Sequence, residues 1–351
     1  MAANTIGEAF RVTTFGESHG GALGAVLDGV MPGLELCEAD IQKELDRRKP
    51  GQSALTSPRR EEDRVCILSG VFEGKTSGTP LLLLVRNTDA RPSDYAAIKD
   101  LFRPGHADYT YLEKYGMRDY RGSGRASGRE TLGRVAAGAV AKKILGGRGV
   151  RVLAYTLRAA GIACAGFDPD AIEKNPLRAC DAEAARRMEA RIARLREEGD
   201  SAGGVVECRV AGLPPGLGEP VFDKLDAEIA RAMLSIGAVK GIEFGAGFAA
   251  ADMKGSEHND ALAPGGFLSN NSGGVLGGIS TGQELVFRVS VKPTASIAKP
   301  QKTLDTAGRE TEVSTPGRHD ACICPRVVPV VEAMAAIVLE DLFKRREAAG
   351  R

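Results

Sequence analysis

Strand-like and helical stretches come in blocks along this chain rather than in strict alternation, and that order constrains the fold more than any other feature. Residues 10–15 and 23–30 read as strands on either side of a glycine turn at 16–21. One helix follows over 39–48, stopped by Pro50, and residues 65–72 and 80–85 read as strands again. The clearest helix runs over 128–145. Leu132, Val135, Ala136, Ala139, Val140 and Ile144 repeat at helical spacing, and Gly146-Gly147 ends it. A strand over 150–157, a charged helix over 181–198 with one face in solvent, and strands over 205–210, 241–244 and 285–291 come next. A helix over 222–234 separates two of them, and a last one covers 329–346. A doubly wound sheet needs alternation, so the class is α+β.

The charge balance limits the partners. With 47 basic and 46 acidic residues the net charge is +1, which argues against a general nucleic-acid or membrane-surface field. Anion chemistry must come from local arginine clusters. Seven cysteines at irregular spacing make no disulfide framework. Residues 1–15 contain Asn4, Glu8 and Arg11, without the apolar core of a signal peptide. The apolar runs at 81–85 and 327–339 are short or broken by Glu332, so neither spans a bilayer. The expectation is a soluble, reduced, cytoplasmic protein.

Only four histidines occur, His19, His106, His258 and His319, each in a polar, loop-like segment and none on the apolar stripe of a helix. Loops on a rigid scaffold carry chemistry more often than cores do. Gly16-Glu17-Ser18-His19-Gly20 matches the spacing of a nucleophile elbow, but an elbow needs a helix after it and 21–29 reads as a strand. The segment from Gly70 to Thr76 is one residue short of a phosphate-binding loop and reads as a hairpin turn. Arg103-Pro104-Gly105-His106-Ala107-Asp108 is followed by Arg118, Arg121, Arg125 and Arg129. Planar guanidinium forks bind carboxylate and phosphate in pairs, so this cluster suits a polyanionic small ligand.

Ser127 and Glu130 have capping-box spacing at the start of the clearest helix, whose N-terminus is also an anion site. Paired glycines recur at Gly273-Gly274 and Gly277-Gly278, where backbone can approach a flat or phosphorylated ligand closely. Lys292-Pro293-Thr294-Ala295-Ser296 offers a cation and hydroxyls after a strand, and Arg318-His319-Asp320 joins cation to carboxylate. Cys322 and Cys324 have no second pair at zinc spacing, so no metal is expected.

Taken in order, Gly-Glu-Ser-His-Gly, Arg-Pro-Gly-His-Ala-Asp, Arg-Ala-Ser-Gly-Arg-Glu-Thr, Gly-Gly-Ile-Ser-Thr-Gly, Lys-Pro-Thr and Gly-Arg-His-Asp resemble the motif series of the chorismate synthases over residues 10–343. That resemblance implies a lyase that converts 5-enolpyruvylshikimate 3-phosphate to chorismate and phosphate by a 1,4-elimination requiring reduced FMN. It implies a β-α-β sandwich with helices between antiparallel sheets, assembled as a homotetramer. By matching position it makes His19 the acid toward the departing phosphate, His106 the group at the flavin pyrimidine edge, and Asp320 the helper in removing the C6 proton. Flavin contacts map to Arg125, Ala126, Ser127, Gly237, Ala238, Gly277, Lys292, Pro293, Thr294, Ala295, Ser296 and Arg318. Ser18, Arg48, Arg60, Arg103 and Arg129 map to the substrate. Arg48 also matches a position associated with NADP, which makes NADPH a second cofactor to consider. No long insertion appears, which points to an outside source of reduced flavin.

Two departures stand out: Ala54 replaces a frequent arginine, with Arg59 or Arg60 at hand to supply the contact, and Gly237 replaces a frequent asparagine. Motifs feeding one site from residue 19 to residue 320, with no linker between them, make residues 1–351 one domain. Two other readings compete, a serine hydrolase acting through Ser18 and a flavin-binding protein without catalysis.

Overall fold

The computed structural model describes residues 3–52, 61–88, 92–315 and 320–350. The first block of strands forms one antiparallel sheet. Strands β1 (Arg11–Gly16) and β2 (Ala22–Asp28) make the expected hairpin, and helix α1 (Glu38–Arg48) leads to β3 (Val65–Ser69) and β4 (Leu81–Arg86). The sheet order is Thr5–Ile6, β1, β2, β4, β3. The segment from Gly70 to Thr76 is a small hairpin beside it, as read from the sequence.

Helices α2 (Asp108–Tyr115) and α3 (Thr131–Gly147) follow, then β5 (Arg151–Ala159), α4 (Ala182–Glu197), β6 (Gly204–Ala211), α5 (Leu225–Leu234), β7 (Val239–Phe244), β8 (Leu285–Val291) and α6 (Cys324–Ala348). The second sheet runs β7, β8, β6, β5 and a short edge strand at Ile162–Ala163, again antiparallel. Helix α3 packs on the first sheet, α6 on the second, and the two helices pack on each other. The architecture is α+β, two sheets around a helical layer.

The core follows from strand alternation. Leu81, Leu83 and Val85 on β4 are buried while Leu82 and Leu84 face outward. One contiguous cluster of buried apolar residues runs from Phe10 to Phe343. Within the helical layer, buried Glu332 accepts from Arg47 at 2.6 Å, Lys142 at 2.7 Å and the Ala154 backbone N–H at 3.0 Å. Burial opposes its charge, but Lys142 and Arg47 hold its carboxyl down at about 2. Three helices and β5 are thereby tied at one point.

Two expectations need correction. Helix α6 starts at Cys324, five residues before the position read from Pro329. Pro325 takes the first turn instead, and Pro329 lies inside the helix. The missing N–H of Pro329 leaves the Pro325 carbonyl without its helical donor, and Arg178 Nη1 donates to that carbonyl at 2.8 Å. The capping box also does not form. Ser127 caps a 3₁₀ turn by accepting from Arg129 N, while the Glu130 carboxylate accepts from Thr14 Oγ1 and Arg134 Nε, both at 2.8 Å.

Candidate active site

A cavity of about 790 Å³ opens between the two sheets' ends and the helical layer. Its floor is a stripe of α6 and the residue before it: Ile323, Val327, Val330, Met334 and Ile337, at helical spacing. Its rim is polar and mostly cationic, with Arg103, Arg125, Arg129, Arg134, Arg231, Lys292 and Arg326 against Glu130 and Asp320.

The Gly-Glu-Ser-His-Gly turn joins β1 to β2, so the elbow reading fails on geometry: a strand follows it. Buried Ser18 lines the cavity, and its Oγ lies 3.1 Å from His19 Nδ1. The His19 ring stands edge-on to Tyr95 at 5.2 Å and is not itself a lining residue. Asn87 holds the turn from below, donating to Glu17 O at 3.0 Å and Gly20 O at 2.7 Å.

His106 lines the cavity in the turn before α2. Its Nδ1 accepts from Ala107 N at 2.8 Å and lies 3.2 Å from Arg103 Nη2. The Arg103 fork meets buried Asp108 through Nε at 2.7 Å and Nη2 at 2.8 Å, and Arg118 Nη1 reaches Asp108 at 2.9 Å. Burial works to raise the Asp108 carboxyl, but the Arg103 guanidinium bound to it holds it well below the usual carboxylate range.

Beneath the opposite wall lies a buried cluster of charges. Arg129 donates to Asn87 Oδ1 at 2.5 Å, Asp63 at 2.9 Å and Glu61 at 3.3 Å. Arg48 binds the other Asp63 oxygen. Burial opposes the charge on Asp63, but Arg48 and Arg129 keep its carboxyl below the ordinary range. Burial also pulls Arg48 down to about 10, with Arg326 and Arg129 adding to it against Asp63. Arg326 donates to Asp320 Oδ2 at 2.5 Å and to Arg48 O at 3.2 Å.

On the remaining side, Arg125, Ala126 and Ser127 meet Gly237, Ala238 and residues 292–296 around the cavity. Arg125 donates to Thr14 Oγ1 at 2.8 Å and Gly16 O at 3.1 Å. Gly237 has open space where a side chain would be. Lys292 Nζ donates to Gly105 O at 3.1 Å, and burial with the neighbouring Lys240 pulls its pKa below the ordinary range. The Thr294 Oγ1 is buried without a hydrogen-bond partner, a state that a polar ligand atom relieves. An apolar floor, an orphaned hydroxyl and a cationic rim fit a flat heterocycle bearing a phosphate.

Most of the expected residues therefore converge. Gly277 does not: it sits in the two-residue turn after Val275–Leu276 and is not among the lining residues. Arg48 stands behind the wall rather than in it. Ala54, Arg59, Arg60, Arg318 and His319 lie outside the described residues. His258 ends a short helical turn elsewhere. Sequence reasoning missed Arg326, Arg134, Arg231, Asn87 and the apolar floor. A lone arginine at the head of an apolar helix was the one signal for Arg326. Among the described residues no helix is long and apolar enough to cross a membrane, and no acidic, histidine and cysteine group is arranged to hold a metal ion.

The family model described as chorismate synthase matches residues 10–343. A chorismate synthase of Syntrophus aciditrophicus (strain SB) is 56% identical over 351 residues, covering 99% of each chain. One from Syntrophobacter fumaroxidans (strain DSM 10017 / MPOB) is 58% identical over 343 residues, 98% of this chain and 97% of that one. A crystal structure of chorismate synthase superposes with a TM-score of 0.77 at 33% identity, covering 97% of this chain and 93% of the other. The ordered motifs, the cavity they converge on and these full-length likenesses agree: the chain belongs to the chorismate synthase family.

Proposed function

We propose that this enzyme is a carbon–oxygen lyase that converts 5-enolpyruvylshikimate 3-phosphate to chorismate and phosphate with reduced FMN. The observation that carries the reading is the cationic rim over an apolar floor in one cavity of about 790 Å³. A substrate with one phosphate and two carboxylates, beside a flavin with its own phosphate, needs that many fixed cations. Reduced FMN, held by residues 125–127, 237–238 and 292–296, would supply transient electron density to the elimination with no net redox change.

The chain's own residues bind, orient and move protons. Arg129 and Arg326 face the anionic substrate, each already steadied by carboxylates. His19 supplies the proton to the departing phosphate by way of the Ser18 hydroxyl, which stands between the ring and the cavity. Asp320, oriented by Arg326, receives the C6 proton. Arg125, Ala126, Ser127, Gly237, Ala238 and residues 292–296 hold the flavin, with His106 at its pyrimidine edge. Arg103, its Nε and Nη2 committed to Asp108 and His106, supports that histidine more than the substrate. General acid–base groups contribute about 10²–10⁴-fold each.

Arg48 lies behind the wall, which favours an outside source of reduced flavin over NADPH bound at that residue. One apolar core from Phe10 to Phe343 supports a single domain. The outward Val26, Leu82 and Leu84 on the first sheet support assembly with further copies, as a homotetramer. The near-neutral charge supports a cytoplasmic enzyme without nucleic-acid or membrane partners.

An anaerobic assay with the enolpyruvyl substrate, with and without reduced FMN, following phosphate and chorismate absorbance, tests the proposal. Turnover is expected only with reduced flavin. Folded protein that releases no phosphate with the flavin fully reduced sinks the reading. His19→Ala is expected to lower turnover by about 10²–10⁴-fold while largely sparing FMN binding.

A further inference from the structure

A histidine two residues before an aspartate invites the picture of a proton shared between them. The geometry points elsewhere. Ala107 N–H donates to His106 Nδ1 at 2.8 Å, and Arg103 Nη2 lies 3.2 Å from the same atom. Both neighbours carry only donors, so Nδ1 must offer its lone pair. Asp108 Oδ1 is 3.5 Å away, beyond a good hydrogen bond. Its oxygens are already taken by Arg103 N at 3.1 Å, Arg103 Nε at 2.7 Å, Arg103 Nη2 at 2.8 Å and Arg118 Nη1 at 2.9 Å.

We infer that His106 is locked as the neutral tautomer with its proton on Nε2, a fixed hydrogen-bond donor to the cavity, by a clamp of Arg103, Asp108 and Arg118. The clamp is stiff for a physical reason. Arg103, Asp108 and Arg118 are all nearly buried, and the Arg–carboxylate fork fixes the guanidinium plane as well as its position. Ser123 Oγ accepts from Arg103 Nη2 at 2.7 Å, so the two hydrogens of that nitrogen go to Asp108 and Ser123, and it meets His106 Nδ1 only as a shared, longer contact from a cation that cannot accept a proton. Arg118 is held in turn by the Leu101 carbonyl at 2.9 Å. Lys292 Nζ, at Gly105 O, is the further cation facing this turn.

The inference deepens the proposed function and rests on its assignment of His106 to the flavin edge. A ring nitrogen that can only donate favours a ligand edge made of acceptors, and favours it more when that edge carries negative charge. Arg103, Asp108 and Arg118 are then positioning residues, acting through His106.

Imidazole nitrogen shifts read the tautomer directly in full-length protein labelled with ¹⁵N-histidine, without flavin, at pH 8. Resonances of His106 are identified by their loss in His106→Gln. The expected result is a protonated Nε2 and an unprotonated Nδ1 in one population. A protonated Nδ1, alone or with Nε2, overturns the inference. Asp108→Ala frees Arg103, so a population with Nδ1 protonated is expected to appear, and affinity for reduced FMN to fall by about tenfold. Folded Asp108→Ala with an unchanged His106 spectrum also overturns it. Should that variant fail to fold, Arg118→Lys, which keeps the charge and loses the fork, decides on the same criteria. A locked Nε2–H in a protein that does not bind FMN would uphold the clamp and count against the flavin reading alone.

Discussion

Gly122 keeps the His19 turn in place by having no side chain. Its φ is +62°, and a Cβ built there would lie 2.1 Å from His19 Nδ1 and Cε1 and 2.9 Å from Ser18 Oγ. The ring has no room to yield without leaving Ser18 and Tyr95. Gly122→Ala is therefore expected to cost turnover on the order of 10²-fold, the penalty for a misplaced catalytic group, with flavin affinity largely kept. A steady-state assay beside an FMN titration checks it, and undiminished turnover would show that the position of His19 does not matter. At this scale, what could be read in the sequence was chemistry carried by adjacent residues, such as Ser18-His19 and residues 292–296. Asn87 escaped because it works through Glu17, Gly20 and Arg129, each far away along the chain. Arg103 and Arg125 were recognised as anion-seeking, but a sequence does not distinguish a ligand's oxygens from the protein's own. Their forks go to Asp108 and to oxygens of β1.

Elements are joined by contacts of the same hidden kind. Helices α3 and α6 cross at Gly138, where an added Cβ would sit 2.3 Å from Ala333 Cβ. Helix propensity alone favours alanine over glycine by about 1 kcal/mol. Overpacking a core costs about 1–3 kcal/mol, and a contact this short on another helix's backbone falls at the upper end. Gly138→Ala is thus expected to lower the melting temperature. Gly146→Ala, in the same helix with open space around it, is expected to raise it slightly. Thermal unfolding of the pair separates packing from propensity, and a shared sign would refute the tight crossing. Apolar periodicity was enough to find α3, β8 and the β1–β2 hairpin. It did not find the true start of α6, because the carbonyl left open by Pro329 is satisfied by Arg178, 147 residues earlier than Pro325. Helix α2 was missed for another reason: Asp-Tyr-Thr-Tyr is a weak helix former, ended by Gly116 in the left-handed region.

At the scale of the whole molecule, the outward face of the first sheet and one buried carboxyl set what the fold tolerates. Val26 pairs with Leu82 across β2 and β4, with Leu84 two residues on and Leu68 57% exposed. The proposed assembly through this face predicts that Leu82→Arg with Leu84→Arg reduces the mass seen by analytical ultracentrifugation without loss of circular dichroism, and an unchanged mass would count against that assembly. Glu340 tests the interior. It is fully buried on α6, neither carboxylate oxygen has a hydrogen bond, and Arg148 Nε stays 3.8 Å away. Burial pushes its pKa from an ordinary 4.5 up to about 7, with Arg148 and Lys344 pulling down and Glu347 and Asp341 pushing up. The folded chain then holds this proton more tightly than the unfolded one. Its share of the stability is whole below about pH 4.5 and is lost as pH rises through about 7. Glu340→Gln keeps the volume and removes the titration, so the variant should match the parent in acid and exceed it at pH 8 by on the order of 1–3 kcal/mol. Other groups titrate in the same range, but they do so in both proteins. Only the difference between the two melting curves from pH 5 to 8 belongs to Glu340, and curves that run parallel would mean that its carboxyl keeps one charge state throughout.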